Sequence, residues 1–177
     1  MDTLKTKVVT GKVRFSYAHV FEPVAIDDGA TPKYSVAILI PKDDAETLAK
    51  IDAGIKAAME VGKAKLEVKG KMPKNLKTPL RDGDDERPDD ENYEGMMFLN
   101  ASSTSKPGIV DADLEKLMDK DEFYSGCYGR ASINFYAFSV SGNKGIAAGL
   151  QNLQKTEDGE SLSGGASAED DFGDDLD

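Results

Sequence analysis

Residues 128–153 constrain the fold more than any other part of this chain. From 128 to 140 the side chains alternate. Ala131, Ile133, Phe135 and Ala137 fall on one face, and Arg130, Ser132, Asn134, Tyr136 and Phe138 on the other. A period of two over so long a run predicts a strand with one face buried. Ser141-Gly142-Asn143-Lys144-Gly145 follows, rich in residues that tolerate positive φ, and residues 146–153 turn apolar again. This is the pattern of a β-hairpin, and a hairpin with one apolar face must close over a core.

Three further segments can supply the rest of that core. Residues 8–17 alternate, with Val9, Val13, Phe15 and Tyr17 on one face and Val8, Thr10, Lys12, Arg14 and Ser16 on the other. Tyr34-Ser35-Val36-Ala37-Ile38-Leu39-Ile40 is apolar on both faces, as a central strand would be, and Pro41 ends it. Residues 95–101 form a further strand. Between the last two, Leu48, Ile51, Ile55, Met59 and Gly62 recur at helical spacing. Asp43, with Glu46 three residues on, opens that helix as a capping box, and Gly62 closes it. A short helix is expected from Asp111 or Asp113 through Leu114, Leu117 and Met118. The sum is mainly β with a flanking helix: a small antiparallel five-stranded barrel. The chain is too poor in strand–helix alternation for a doubly wound sheet.

Charge then separates the chain into parts. The formal net charge is −11, from 22 Lys+Arg against 33 Asp+Glu. Nine of those acids, and no base, lie in residues 157–177, so residues 1–156 are nearly neutral. Two units are expected: a folded domain over 1–156 and a disordered acidic tail over 157–177 whose composition cannot build a core. Within the domain, residues 56–81 hold eight bases and two acids, whereas 82–94 hold eight acids and one base, Arg87. Averaged, the charge argues against a polyanionic ligand; divided in this way, it does not.

Several chemistries are excluded. Cys127 is the only cysteine and His19 the only histidine, which removes disulfides, zinc clusters and the Ser–His–Asp triad within one chain. There is no phosphate loop of the GxxxxGK[ST] type. No apolar run is long enough to span a bilayer, and the first residues lack the apolar centre of a signal peptide. A cytoplasmic protein with no cofactor, no bound metal and no membrane contact is expected.

What remains is binding. Lys71, Lys74, Lys77 and Arg81, at spacings of three to four residues in a proline-interrupted loop, can follow a phosphate backbone, and Arg130 and Lys144 can add to them. Tyr17, Tyr124, Tyr128 and Tyr136 can stack on unpaired bases. In the tail, Phe172 and Leu176 interleave with Asp170, Asp171, Asp174 and Asp175. That pattern suits a competitor for a basic groove and a hook for a basic partner pocket. Two rival readings start from the acids. One is a carboxylate–metal nuclease using Asp82, Asp84 and Asp85; the other is a DNA mimic that captures a basic protein. The loop lacks the EF-hand spacing for calcium.

Five motifs, in this order, resemble a known family: Pro79-Leu80-Arg81-Asp82-Gly83-Asp84, Phe98-Leu99-Asn100-Ala101-Ser102, Lys106-Pro107-Gly108-Ile109-Val110-Asp111, Tyr124-Ser125-Gly126-Cys127-Tyr128-Gly129-Arg130, and residues 142–152. The chain is similar to the phage-type single-stranded DNA-binding proteins, which have an OB fold and an acidic C-terminal tail. The resemblance implies sequence-independent binding of single-stranded DNA in phage replication and recombination, inside a bacterial host cell. It also implies replication or recombination proteins as partners of the tail, and it leaves room for a homodimer. Proteins of this function often carry a terminal Phe; here Phe172 is internal. The OB fold usually has its helix after the third strand, but here the helix follows the second. Either another strand lies near residues 18–32, or the barrel is a modified OB-fold.

Overall fold

A computed structural model describes residues 5–25 and 29–162. The hairpin organises it. Strand β7 (Tyr128–Val140) runs into β8 (Asn143–Glu157) through Ser141 and Gly142, both at positive φ (49° and 82°). Two consecutive left-handed residues match the twist of the strands they join.

The segment expected as a single strand over 8–17 is two. β1 (Lys7–Val9) and β2 (Val13–Val24) both pair with β7, with a jog at Gly11-Lys12. The jog inverts the alternation. Val8 and Thr10 are buried and Val9 is 41% exposed, whereas Val13 and Phe15 are buried beyond it. Gly11 makes this possible: its N–H donates to Thr47 Oγ1 at 3.0 Å, and a Cβ there would lie 2.9 Å from that oxygen.

Strand β3 (Lys33–Pro41) lies between β2 and β5 (Met96–Ser103). Its two apolar faces serve two cores. Val36, Ile38 and Ile40 join the main barrel core, while Ala37 and Leu39 pack outside with Tyr93 and Phe98. The barrel closes in the order β2–β3–β5–β8–β7 and back to β2. Four of the pairs are antiparallel, and β5–β8 is parallel. Five strands in a closed ring cannot all alternate direction, so one parallel pair is unavoidable. This is the five-stranded, mainly β barrel that the sequence predicts.

Helix α1 (Ala45–Val61) covers one end of the barrel, with Ile51, Ile55 and Ala58 in the core. Its cap is Asp44, which accepts from Thr47 N at 3.1 Å, not the expected Asp43. Gly54 lets Phe135 and Val8 close against the helix, since a Cβ would meet each at 2.8 Å. The helix sits between the second and third barrel strands. β2 simply continues to Val24, so the OB-fold is modified and no separate strand appears among the described residues of 18–32.

The long excursion after α1 is ordered in short pieces: α2 (Lys63–Leu66), β4 (Arg81–Asp82) on β5, α3 (Gly83–Glu86) and a 3₁₀ turn over Glu91–Tyr93. β6 (Gly108–Val110) adds to β8 in parallel. The short helix expected over 111–118 does not form. Instead Asp111 Oδ1 accepts from Asp113 N and Glu115 N at 2.8 and 2.9 Å, which folds the segment into a tight loop.

Candidate nucleic-acid interface

Register across the barrel places a row of short side chains on its outer surface. His19 pairs with Ser35, Ser35 with Ser102, Ser102 with Gly149, and Gly149 with Asn134. Their chain neighbours Val20, Val36, Ala101, Ala148 and Ile133 point inward and are buried. With strands about 4.8 Å apart, the row runs about 19 Å across five strands. Ser, Gly and Asn stand little above the backbone, so the row is a shallow trough.

One rim is aromatic and cationic. A register shift between Ser16 and His19 coincides with Tyr17 at φ 47°, an uncommon state for a bulky residue. The bulge turns Tyr17 outward to 51% exposure. Arg87 lies over its ring at 5.4 Å and donates to its hydroxyl at 3.3 Å. The same guanidinium lies 5.3 Å from the ring of Tyr93, which meets Phe98 edge-on at 5.0 Å. Burial pushes the Tyr93 phenol up in pKa, so it stays protonated. Arg87 is absent from the sequence-derived candidates. The only base within an acidic loop reads as charge balance until the fold brings it to Tyr17.

The acids of that loop have other work. Asp82 and Asp84 both hold Lys42 Nζ, at 2.8 and 2.6 Å, and Asp84 also accepts from Gly95 N at 3.1 Å. Lys42 holds both carboxyls below their ordinary range, and they raise the ammonium in return. Arg81 is paired with Glu86 at 2.7 Å. Among the described residues no three His, Cys, Asp or Glu groups converge as a metal site.

At the far end of the same rim stands Tyr136, 43% exposed, whose ring lies beside Gly149. Beyond it the basic excursion docks on the hairpin. Lys77 N donates to Lys144 O at 3.0 Å, and Ile146 N donates to Lys77 O at 2.8 Å. Gly145 is required here, because a Cβ would stand 2.2 Å from Lys77 O. Lys71 belongs to a small turn with Val68, and Lys144 Nζ reaches Glu67 O at 3.5 Å. Lys71, Lys74, Lys77 and Lys144 therefore gather at the hairpin end, near Tyr136.

Tyr124, Tyr128 and Arg130 lie at the opposite end of β7. Tyr128 is flanked by Lys12 and Arg14 at 5.1 and 5.3 Å, and Arg130 Nε donates to Thr10 O at 2.9 Å. The acidic residues at the end of β8 and just after it cover this surface. Glu157 pairs with Lys12, Asp158 with Lys155 at 2.5 Å, and Tyr124 Oη donates to Asp158 at 2.9 Å. Arg14 Nη2 donates to Glu160 O at 2.9 Å. Lys155, then Tyr124, hold the Asp158 carboxyl below its usual range. Burial raises the Tyr124 phenol and, more deeply, the Cys127 thiol, which stays protonated inside the core. Asp170, Asp171, Phe172, Asp174, Asp175 and Leu176 lie outside the described residues.

A protein-family model built on the single-stranded DNA-binding protein of Enterobacter phage Enc34 matches residues 6–177. The chain belongs to this Enc34 family. A relative within phage sequences is putative protein p50 of Acyrthosiphon pisum secondary endosymbiont phage 1, 32% identical over 175 residues, which is 96% of this chain and 94% of that one. Among solved structures, the Enc34 protein in complex with single-stranded DNA is similar with a TM-score of 0.78 and 28% identity, over 89% of this chain and 90% of that chain. The gp2.5 protein of bacteriophage T7, a single-stranded DNA-binding protein, shares the fold at a TM-score of 0.64 and 14% identity, over 93% of this chain and 99% of that chain. No helix among the described residues is long and apolar enough to cross a membrane.

Proposed function

We propose that this chain binds single-stranded DNA without sequence preference along the trough from His19 to Asn134. It acts as a binder, not an enzyme, in phage replication and recombination within the host cytoplasm. The observation that carries the reading is the trough itself: short polar side chains across five strands, Tyr17 with Arg87 and Tyr136 at the two ends of one rim, and lysines 71, 74, 77 and 144 beyond. Unpaired bases need exposed rings, which accept any base, and the backbone needs cations; a duplex offers its bases no such faces. Membership of the Enc34 family supports the same ligand.

The acidic tail competes with DNA and recruits replication or recombination proteins through its acidic and apolar residues, Phe172 and Leu176 among them. Support for the competition comes from the start of the tail, which already holds Lys12, Lys155 and Arg14 and covers Tyr124 and Tyr128. Arg130, Tyr124 and Tyr128 thus form a second patch that strand and tail would share.

The deciding experiment is a salt series of binding to single-stranded and double-stranded oligonucleotides, with and without residues 157–177. Preference for single strands with a steep salt slope, and tighter binding after deletion, is the expected result. Equal affinity for both forms of DNA would refute the trough; no gain on deletion would refute the competition.

A further inference from the structure

Two exposed patches lie at opposite ends of the barrel and complement each other. The loop after β6 displays Leu114 and Met118, 73% and 80% exposed, among Asp111, Asp113, Glu115, Asp119, Asp121 and Glu122, with only Lys116 and Lys120 opposing them. This loop is firmly built: besides the Asp111 bonds, Leu117 N donates to Ile109 O at 2.8 Å and Gln154 Nε2 to Asp111 O at 3.3 Å. Leu114 is held at φ 67°. Within one molecule its side chain buries little, so nothing there offsets that conformation.

The second patch follows α1. Val61 and Val68 are 66% and 50% exposed, and Lys63, Lys65, Lys69 and Lys71 surround them against Glu60 and Glu67. It too is rigid, anchored by the Val68–Lys71 turn and by Lys144 on Glu67 O. The acidic loop attaches near Gln154 of β8 and the basic lobe near Lys144. Ten residues of extended strand separate the two by about 33 Å.

We propose that the acidic loop of one copy docks on the basic lobe of the next, so that copies bound to a strand contact each other head to tail. Each patch offers exposed aliphatic groups ringed by one sign of charge, and the signs are opposite. Because the two surfaces differ, the contact is heterologous and repeats without closing, the symmetry that suits a linear polymer. Each patch is small, so free chains stay apart. A shared strand raises the local concentration and makes the contact effective. The inference rests on the proposed binding of single-stranded DNA.

The test compares binding of the full chain to an oligothymidine that holds one copy and to one several times longer. The expected result is per-site affinity about tenfold or more higher on the long strand, from neighbouring contacts. Leu114→Asp with Met118→Asp should abolish that gain and leave the short-strand affinity unchanged. Asp113→Lys/Glu115→Lys and Lys65→Glu/Lys69→Glu should each lose the gain alone and regain it when mixed. Equal per-site affinity for both lengths in the wild type overturns the contact but not the DNA reading; no binding to either length overturns the DNA reading itself. Loss of the gain on removing residues 163–177 would mean that the tail bridges the copies, and would also overturn the loop–lobe contact.

Discussion

Replacing Tyr136 by Ala tests the trough most directly. The ring is 43% exposed and lies outside the barrel beside Gly149, so its loss opens no core cavity. A tyrosine presents about 200 Å² of surface, of which about 85 Å² is then open to a base. At about 25 cal/mol per Å², covering that area contributes about 2 kcal/mol. This falls inside the range of about 1–3 kcal/mol per stacked base measured by alanine substitution. At about 1.4 kcal/mol per decade, Tyr136→Ala should weaken binding about thirtyfold. Fluorescence titration with oligothymidine gives the Kd, and a thermal melt controls for folding. The same titration repeated over a salt series separates stacking from charge. Tyr136→Ala should keep the slope of log K against log salt, whereas Lys144→Ala should reduce it by about 0.7 per lost phosphate contact. An unchanged Kd in Tyr136→Ala, with the melt intact, would remove this end of the rim from the site. A flattened slope in the same variant would show that the ring acts by placing lysines rather than by stacking.

Other expectations test the parts separately. Gly145→Val puts side-chain atoms where Lys77 O stands, 2.2 Å from a Cβ, so it should detach the basic segment from the hairpin. Faster proteolysis within residues 63–80 and weaker binding should appear together. Phe15→Ala empties a fully buried site that faces Phe123 at 5.0 Å, and should cost about 3–5 kcal/mol in denaturant unfolding. The Lys42 clamp gives a pH signature. Asp82 and Asp84 have folded pKa values below 3.8, so their contribution to stability is complete above that pH and is lost as pH falls through the lower folded values. Lys42→Met should therefore melt below the wild type at neutral pH, with the gap closing on acidification below 3.8. A gap that stays constant would remove the clamp from the stability of the loop.

Much of this fold is written in local pattern. The alternation over 128–140, the turn at Ser141-Gly142 and the helical spacing from Leu48 to Gly62 each depend on residues close in the chain, so each is legible before folding. Where local pattern failed, a distant partner decided. The phase over 8–17 inverts because Gly11 meets Thr47 across 36 residues, and the helix expected near Asp111 gives way to a loop tied to Gln154.

The candidate site divides in the same way. The sequence by itself determined which residue types could bind: exposed tyrosines, a lysine-rich excursion, and an acidic tail kept apart from a nearly neutral domain. Only the tertiary structure decided which of them meet. The trough is a cross-strand row from His19 through Ser35, Ser102 and Gly149 to Asn134, and no spacing along the chain encodes that neighbourhood. Arg87 reaches Tyr17 over 70 residues, and Lys77 reaches Gly145 over 68. Chain order specifies side-chain period, but barrel closure sets register between strands, and it is register that turns scattered polar residues into one surface.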